Sequence, residues 1–445
     1  MGLGPDLLRA IDRASVQNRP VNRGRVKALV GVCVEVSGLH CATGDLCTIH
    51  TNRGDLMAEV VGFRRDSTLI MPLAEMAGIA PLDSVSSHAR PLAVATGSAL
   101  LGRVIDALGN PIDGGPPIIG RECPVVADAP GPLKRDLITE PVETGISAID
   151  GFLTCGRGQR VGVFSGSGVG KSTLLGMIAR GGIADVNVIA LIGERGREVR
   201  DFVEGVLGEE GMRKSVVVVA TSDSAPMLRF KGPFTAVTIA EAFRAQGCHV
   251  MFMMDSVTRF AGAAREIGLA AGEPPTLRGY PPSLFAHLPR LVERLGNDDR
   301  GSITGLLSVL VEGDDLDEPV SDALRGYLDG HIVLSRSIAA RGKFPALDVL
   351  QSVSRLMPTV ASPEHQKLAS RLRELLAHYE EHRDLIQVGA YRKGADPLLD
   401  VAMSKISTIE DLIYQGVDPC TAGQTLLTMQ QIMEDSTNPH GMVDK

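Results

Sequence analysis

Six apolar runs alternate with helical patterns between about residues 140 and 358: "QRVGVFS" (159–165), "VNVIALIG" (186–193), "SVVVVATSD" (215–223), "CHVMFMMD" (248–255), "SITGLLSVLV" (302–311) and "GHIVLS" (330–335). Their hydrophobicity is continuous rather than alternating, as expected of parallel strands covered on both faces. This stretch therefore predicts a doubly wound α/β domain.

The flanking sequence has other rhythms. From about 21 to 90, short β-rich runs such as "VKALVGVCVEVSG", "DLCTIHT", "LMAEVVGF" and "STLIMPL" are separated by Gly, Asp and Asn. They predict a small closed or nearly closed β-barrel. "DALGNPIDGGPP" (106–117) and the proline-rich run near 124–132 read as turns and a connector. After 358 the strands stop. Ser362 is a candidate N-cap with Pro363 at the first helical position, and Leu368, Leu372, Leu375, Leu376 and Tyr379 recur at helical spacing. A C-terminal helical domain follows, its apolar stripe read as core. The opening "LGPDLLRAIDRA" places Leu3, Leu7, Leu8 and Ile11 on one helical face, either packed on its own protein or docked to a partner or membrane surface. The expected boundaries are 1–18, 19–92, 93–358 and 359–445.

A net charge of −8 argues against a general polyanion binder, and Phe63 is the only aromatic residue from 1 to 151. A face that stacks bases needs several aromatics, so no nucleic-acid partner is expected. Seven cysteines are scattered without a C-x-x-C pair and read as reduced thiols. No apolar run approaches the roughly 18 to 20 residues that span a bilayer. A cytoplasmic protein with at most peripheral membrane contact is expected.

"FSGSGVGKST" (164–173) follows an apolar run and precedes a helical pattern, the setting of a phosphate-binding loop. Ser165 stands where the G-x-x-x-x-G-K-[ST] pattern has glycine; a small residue serves there if the backbone need not adopt a positive φ. Gly166, Gly168 and Gly170, with Ser167 and Val169 between them, let backbone N–H groups turn inward around phosphate oxygens. Lys171 is expected on the β- and γ-phosphates, Ser172 on Mg2+, and Thr173 beside them. Asp255, ending "HVMFMMD", is placed to hold Mg2+ through water, although an Asp ending a strand often only caps a helix. "LIGERGREV" offers Glu194 as base with Arg195 beside it, or else a solvated charge cluster.

"GERGREV", "DSVTRFA", "AAGEPPTLRGYPPS", "VEGDDLDEPVSDALRGYLDGHIVLSR" and "FPALDVLQSVSRLM" resemble the catalytic subunits of rotary ATP synthases. They are most similar to the branch that powers type III protein export, comprising the flagellar export ATPase and its injectisome counterpart. The resemblance covers nearly the whole chain. It implies a β-barrel, a RecA-like core and a helical domain, assembled as a homohexamer that hydrolyses ATP with Mg2+. Within that family Lys171 and Ser172 are phosphate and magnesium ligands, Asp255 is the acid of the second motif, and Glu194 is the catalytic carboxylate. Arg355 matches the arginine finger that reaches a neighbouring subunit's γ-phosphate. Phe344 falls where the family places an aromatic, usually Tyr, against adenine, and reads otherwise as core.

Export-apparatus stalk and regulator (stator) proteins, chaperones, export substrates, and a membrane or export-gate contact are the partners implied. The flagellar pattern has Met and Gln where this chain has Gly262 and Ala264, which is expected to loosen the helix after Asp255. "GSGVGKSTLLGMIAR" and "YRKGADP" lean toward the flagellar system over the injectisome. An RNA translocase of the transcription-terminator type shares the core chemistry but needs an RNA-stacking face, against which the aromatic-poor, acidic composition argues.

Overall fold

The computed structural model describes residues 22–311, 315 and 317–434. The helix expected over 1–18 lies outside them. The chain divides into two compact units.

The first unit comprises residues 22–92 together with 225–228 and 266–274. Six antiparallel strands close a barrel in the order β1-β2-β5-β4-β3-β6: β1 (Arg23–Val30), β2 (Cys33–Ser37), β3 (Asp45–Thr51), β4 (Gly54–Arg64), β5 (Ser67–Pro72) and β6 (Ser84–Pro91). Val26, Val34, Val36, Ile49, Val60, Ile70 and Val85 fill its interior. Closure of β6 onto β1 satisfies backbone groups that an open edge would expose.

The second unit is built on a nine-stranded sheet. Eight of its strands are β7 (Val104–Asp106), β8 (Arg160–Ser165), β9 (Val186–Ile192), β10 (Ser215–Ala220), β11 (His249–Asp255), β12 (Ser302–Leu310), β13 (Gly330–Leu334) and β14 (Leu347–Ser354), in the order β14-β13-β8-β12-β11-β9-β10-β7. The short Gly296–Asn297 strand pairs antiparallel beside β12. Every residue of β9, β10 and β11 is buried, which is why these runs read as continuously apolar.

Two of these eight strands escaped the sequence reading. Val104–Asp106 joins β10 in parallel as an edge strand, just ahead of the turn that Asp106 caps by accepting from Leu108 N and Asn110 N. Three residues are too few to show a period. β14 pairs antiparallel with β13 and alternates between buried and partly exposed positions, so it lacks a continuous apolar run.

Helices cover both faces. On one, α1 (Lys171–Gly181) sets Leu174, Leu175 and Ile178 against Ile189, Leu191, Val217 and Val219. On α2 (Pro226–Arg244), α3 (Val257–Ala271) and α4 (Pro282–Val292), Phe230 stacks on Phe260 at 5.2 Å and meets His287 edge-on. Helix α3 runs unbroken through Gly262 and the buried Ala264, so the expected loosening does not interrupt it.

After residue 358 come α5 (Pro363–Glu381), α6 (Pro397–Ile413) and α7 (Ala422–Glu434). Ser362 caps α5 by accepting from His365 N. Leu372, Leu375, Leu376, Ile409, Leu412 and Met429 share one hydrophobic core with the sheet and α1. No helix among the described residues is long and apolar enough to cross a membrane.

Candidate nucleotide site

The chain leaves the carboxyl end of β8 at Ser165, turns through 166–170 and enters α1 at Lys171. Gly168 and Gly170 have φ of 78° and 86°, the left-handed region that glycine adopts without strain. Gly166 has a different reason to be glycine: a Cβ there would collide with the Arg336 guanidinium. Ser165 is buried and is not among the positive-φ residues, so the loop opens without needing glycine. Val169 is buried and anchors the loop, while Ser167, Gly168, Ser172 and Thr173 are exposed along its rim. No side chain caps the N-terminus of α1. Its first N–H groups and the helix dipole are therefore available to an anion.

Parallel register brings the other chemistry to the same edge. Strand β12 lies between β8 and β11, and Lys171 reaches across it to Asp255, with Nζ 2.5 Å from Oδ1. Ser308 of β12 donates to the same oxygen at 2.8 Å. Asp255 is only 2 % exposed. One strand further, Leu191 pairs with Asp255, and β9 ends at Ile192, just before Gly193 and Glu194. Gly193 has a φ of 71°, and a Cβ on it would sit 2.6 Å from Arg259 Cβ.

Glu194 Oε1 is buried and has no hydrogen-bond partner. Burial, reinforced by the negative charge of Asp255 and opposed by Lys171, pushes the Glu194 carboxyl up to about 7. Two carboxyl groups thus share one ammonium beside an anion-binding loop. Such a site can hold a phosphate with a hard cation and can accept a proton near neutral pH.

Sequence profiles agree with this arrangement. Residues 145–354 match the ATP synthase alpha/beta family, nucleotide-binding domain, and residues 361–431 match the T3SS EscN ATPase C-terminal domain. The chain is 49% identical to the type 3 secretion system ATPase of Xanthomonas euvesicatoria, over 93% of this chain and 94% of that protein. It is also 49% identical to the flagellum-specific ATP synthase of Bacillus subtilis, over 89% of this chain and 91% of that one. This chain belongs to the type III export ATPases. The assembled ATPase EscN from the enteropathogenic E. coli type III secretion system superposes with a TM-score of 0.88 at 41% identity, covering 92% of this chain and 99% of EscN. EscN in complex with its central stalk EscO gives 0.86 at 41% identity, with the same coverage.

In this export ATPase the remaining expected site residues are dispersed. Phe344 is 47 % exposed, and its ring edge lies 3.5 Å from where a Gly170 Cβ would stand, so an aromatic face borders the loop. Arg195 is 82 % exposed and meets Glu198 at 3.6 Å.

Arg355 lies at the other end of the sheet. It follows Ser354, which pairs with Gly330 at the start of β13, whereas Ser165 pairs with Leu334 at its end. Those four residues separate the two by roughly 13 Å along the strand direction, and β13 and β8 add about 10 Å across. Arg355 is exposed, and Nη2 donates to the Arg325 carbonyl at 3.2 Å.

Sequence reasoning missed Ser308 and Arg336. Ser308 was visible as a polar residue inside "SITGLLSVLV", a position that must find a partner once buried. Arg336 carries no local signal, since only the fold brings it to Gly166. The exposed Ser172 hydroxyl and the buried Asp255 carboxylate are oxygen donors beside net negative charge, which suits Mg2+.

Proposed function

We propose that this chain hydrolyses ATP as a homohexameric ring and couples hydrolysis to protein export through a type III apparatus of the flagellar kind. The observation that carries the reaction is Glu194: a half-buried carboxyl with one buried, unpartnered oxygen and a proton affinity near neutrality, beside Asp255 and Lys171 at a phosphate loop.

The backbone of 166–170 and the first turn of α1 cradle the phosphates, and Lys171 moves its positive charge from Asp255 to the β- and γ-oxygens. Phe344 lies against adenine by its ring face. Glu194 accepts a proton from the attacking water, whose approach it orients. Ser172, and Asp255 through water, would hold Mg2+, which when bound neutralises charge on the phosphate oxygens. Ser308 keeps the Asp255 carboxylate oriented.

Arg355 cannot reach its own loop, so its charge stabilises the transition state at the loop of the next subunit. Complete sites then form only between chains. Specific ATPase activity should rise with protein concentration as rings assemble, and Arg355→Ala should lower kcat by about 10³-fold or more. Activity independent of concentration and unaffected by Arg355→Ala would refute the shared site.

The export role rests on likeness to the relatives, as do the stalk, stator, chaperone and substrate partners and a peripheral membrane contact in the cytoplasm. Restored motility in a strain lacking its flagellar export ATPase, without rescue of injectisome secretion, is the expected result. The reverse pattern would assign the chain to the injectisome.

A further inference from the structure

The helical tail carries a cluster that nucleotide chemistry does not use. His378 lies in the last turn of α5 and His382 is its C-cap, four residues apart and so on one face. Asp396 is the N-cap of α6. One ring nitrogen of each histidine and a carboxylate oxygen of Asp396 lie within 4.8 Å of one another. Among the described residues, no other group of three or more His, Cys, Asp or Glu side chains brings potential donor atoms so close.

We propose that His378, His382 and Asp396 form a binding site for a transition-metal cation of the Zn2+ type, which clasps the end of α5 to the start of α6.

Three features argue for ligation over a chance cluster. The first is tautomer: His382 Nδ1 donates to the His378 carbonyl at 2.9 Å, so in the neutral ring the lone pair sits on Nε2. A metal-binding imidazole needs this arrangement, one nitrogen held by a backbone carbonyl and the other open. The second is division of labour within Asp396. Its Oδ1 accepts from Leu398 N and Leu399 N at 2.9 and 3.1 Å, which fixes the carboxylate, while Oδ2 faces His378 Nε2 at 2.7 Å.

The third feature is support around the loop. Tyr391 Oη lies 3.0 Å from the Asp396 carbonyl oxygen and 2.9 Å from Asp400 Oδ1, so the approach to α6 is held before any cation arrives.

Donor chemistry selects the metal. Two imidazoles and one carboxylate match Zn2+ with a fourth position left for water, and differ from the all-oxygen shells of Ca2+ and Mg2+. Tetrahedral ligands about 2.0–2.1 Å from zinc stand roughly 3.3 Å from each other. The His378–Asp396 contact therefore opens by about 0.6 Å on binding, and the neutral His378 ring carries its N–H on Nδ1 so that Nε2 offers its lone pair to the cation. The cation closes the connection between residues 382 and 396, where Gly389 and Gly394 have positive φ, and so acts as a brace.

The test uses the full chain after chelator treatment, titrated with Zn2+ alone by calorimetry and with Co2+ by absorption. A single equivalent should bind at micromolar or lower concentration, with a rise in Tm. His382→Gln and Asp396→Asn should each weaken binding by about tenfold or more. His382→Gln leaves the Asp396 cap of α6 in place, so it guards against loss of fold. Because the chain has seven free thiols, Co2+ separates the sources: a thiolate charge-transfer band in the near ultraviolet that persists in both variants would overturn the site. Absence of stoichiometric binding, or affinity unchanged in both folded variants, would overturn it equally.

Discussion

Glu194 takes its chemistry from burial and from its neighbour Asp255, both of which disfavour the charged form. If its ionised form is the base, ATPase activity falls as pH drops through about 7. Glu194→Gln should remove this acidic limb and lower kcat by about 10²- to 10⁴-fold while leaving nucleotide binding intact. Stability follows the opposite sign. A carboxyl that holds its proton more tightly in the folded state than in the unfolded one loses stability as pH rises from the unfolded value through the folded value. Glu194→Gln cannot ionise, so its Tm should exceed wild type at pH 8 and match it at pH 4. Equal shifts at both pH values would show that the substitution acts through packing. Ser308 is a second residue-scale test. It donates to a buried carboxylate, and Ser308→Ala should destabilise the fold by about 1.5–3 kcal/mol in urea unfolding, with Ser308→Thr restoring most of the loss.

At the scale of elements, the sheet delivers chemistry by ending its strands at one edge, and the ends are tightly specified. Gly193 lets β9 turn past Arg259; Gly193→Ala combines a left-handed φ with a 2.6 Å approach and should cost about 1–3 kcal/mol. Since Glu194 is the next residue, activity should fall further than the loss of folded protein explains, as calorimetry beside steady-state rates would show. The six buried strands could be read from sequence because burial on both faces leaves no polar alternation. The phosphate loop was equally legible, since glycine spacing there reflects backbone geometry. Val104–Asp106 was not, because its pairing with β10 is chosen by tertiary contact across more than a hundred residues. The two histidines were visible at helical spacing, but Asp396 joins them only because α6 folds back on α5. Arg195 and Glu194 are adjacent in sequence yet differ in setting, because the end of the strand leaves one half-buried, with Oε1 shielded, and the following turn exposes the other.

For the whole molecule, β14 connects two sites. It runs antiparallel, so Phe344, just before its start, borders the chain's own loop, while Arg355, just past its end, faces away from it. A closed head-to-tail ring would carry the exposed finger of each chain to the loop of the next, and every interface would be equivalent. Mixing variants tests this arrangement. In a mixture of Lys171→Ala and Arg355→Ala chains, each inactive alone, an interface works only if its loop comes from an Arg355→Ala chain and its finger from a Lys171→Ala chain. With random assembly at equal proportions, about a quarter of interfaces qualify. Interfaces that fire independently should therefore restore about a quarter of wild-type activity, and a ring whose interfaces must fire in sequence should restore much less. Titrating Glu194→Gln into wild type separates these cases: independent interfaces give a linear decline with variant fraction, and sequential firing gives a steeper one. If the Lys171→Ala and Arg355→Ala mixture gives only the weighted sum of its components, Arg355 does not act between subunits, and the loop and finger would have to meet within one chain.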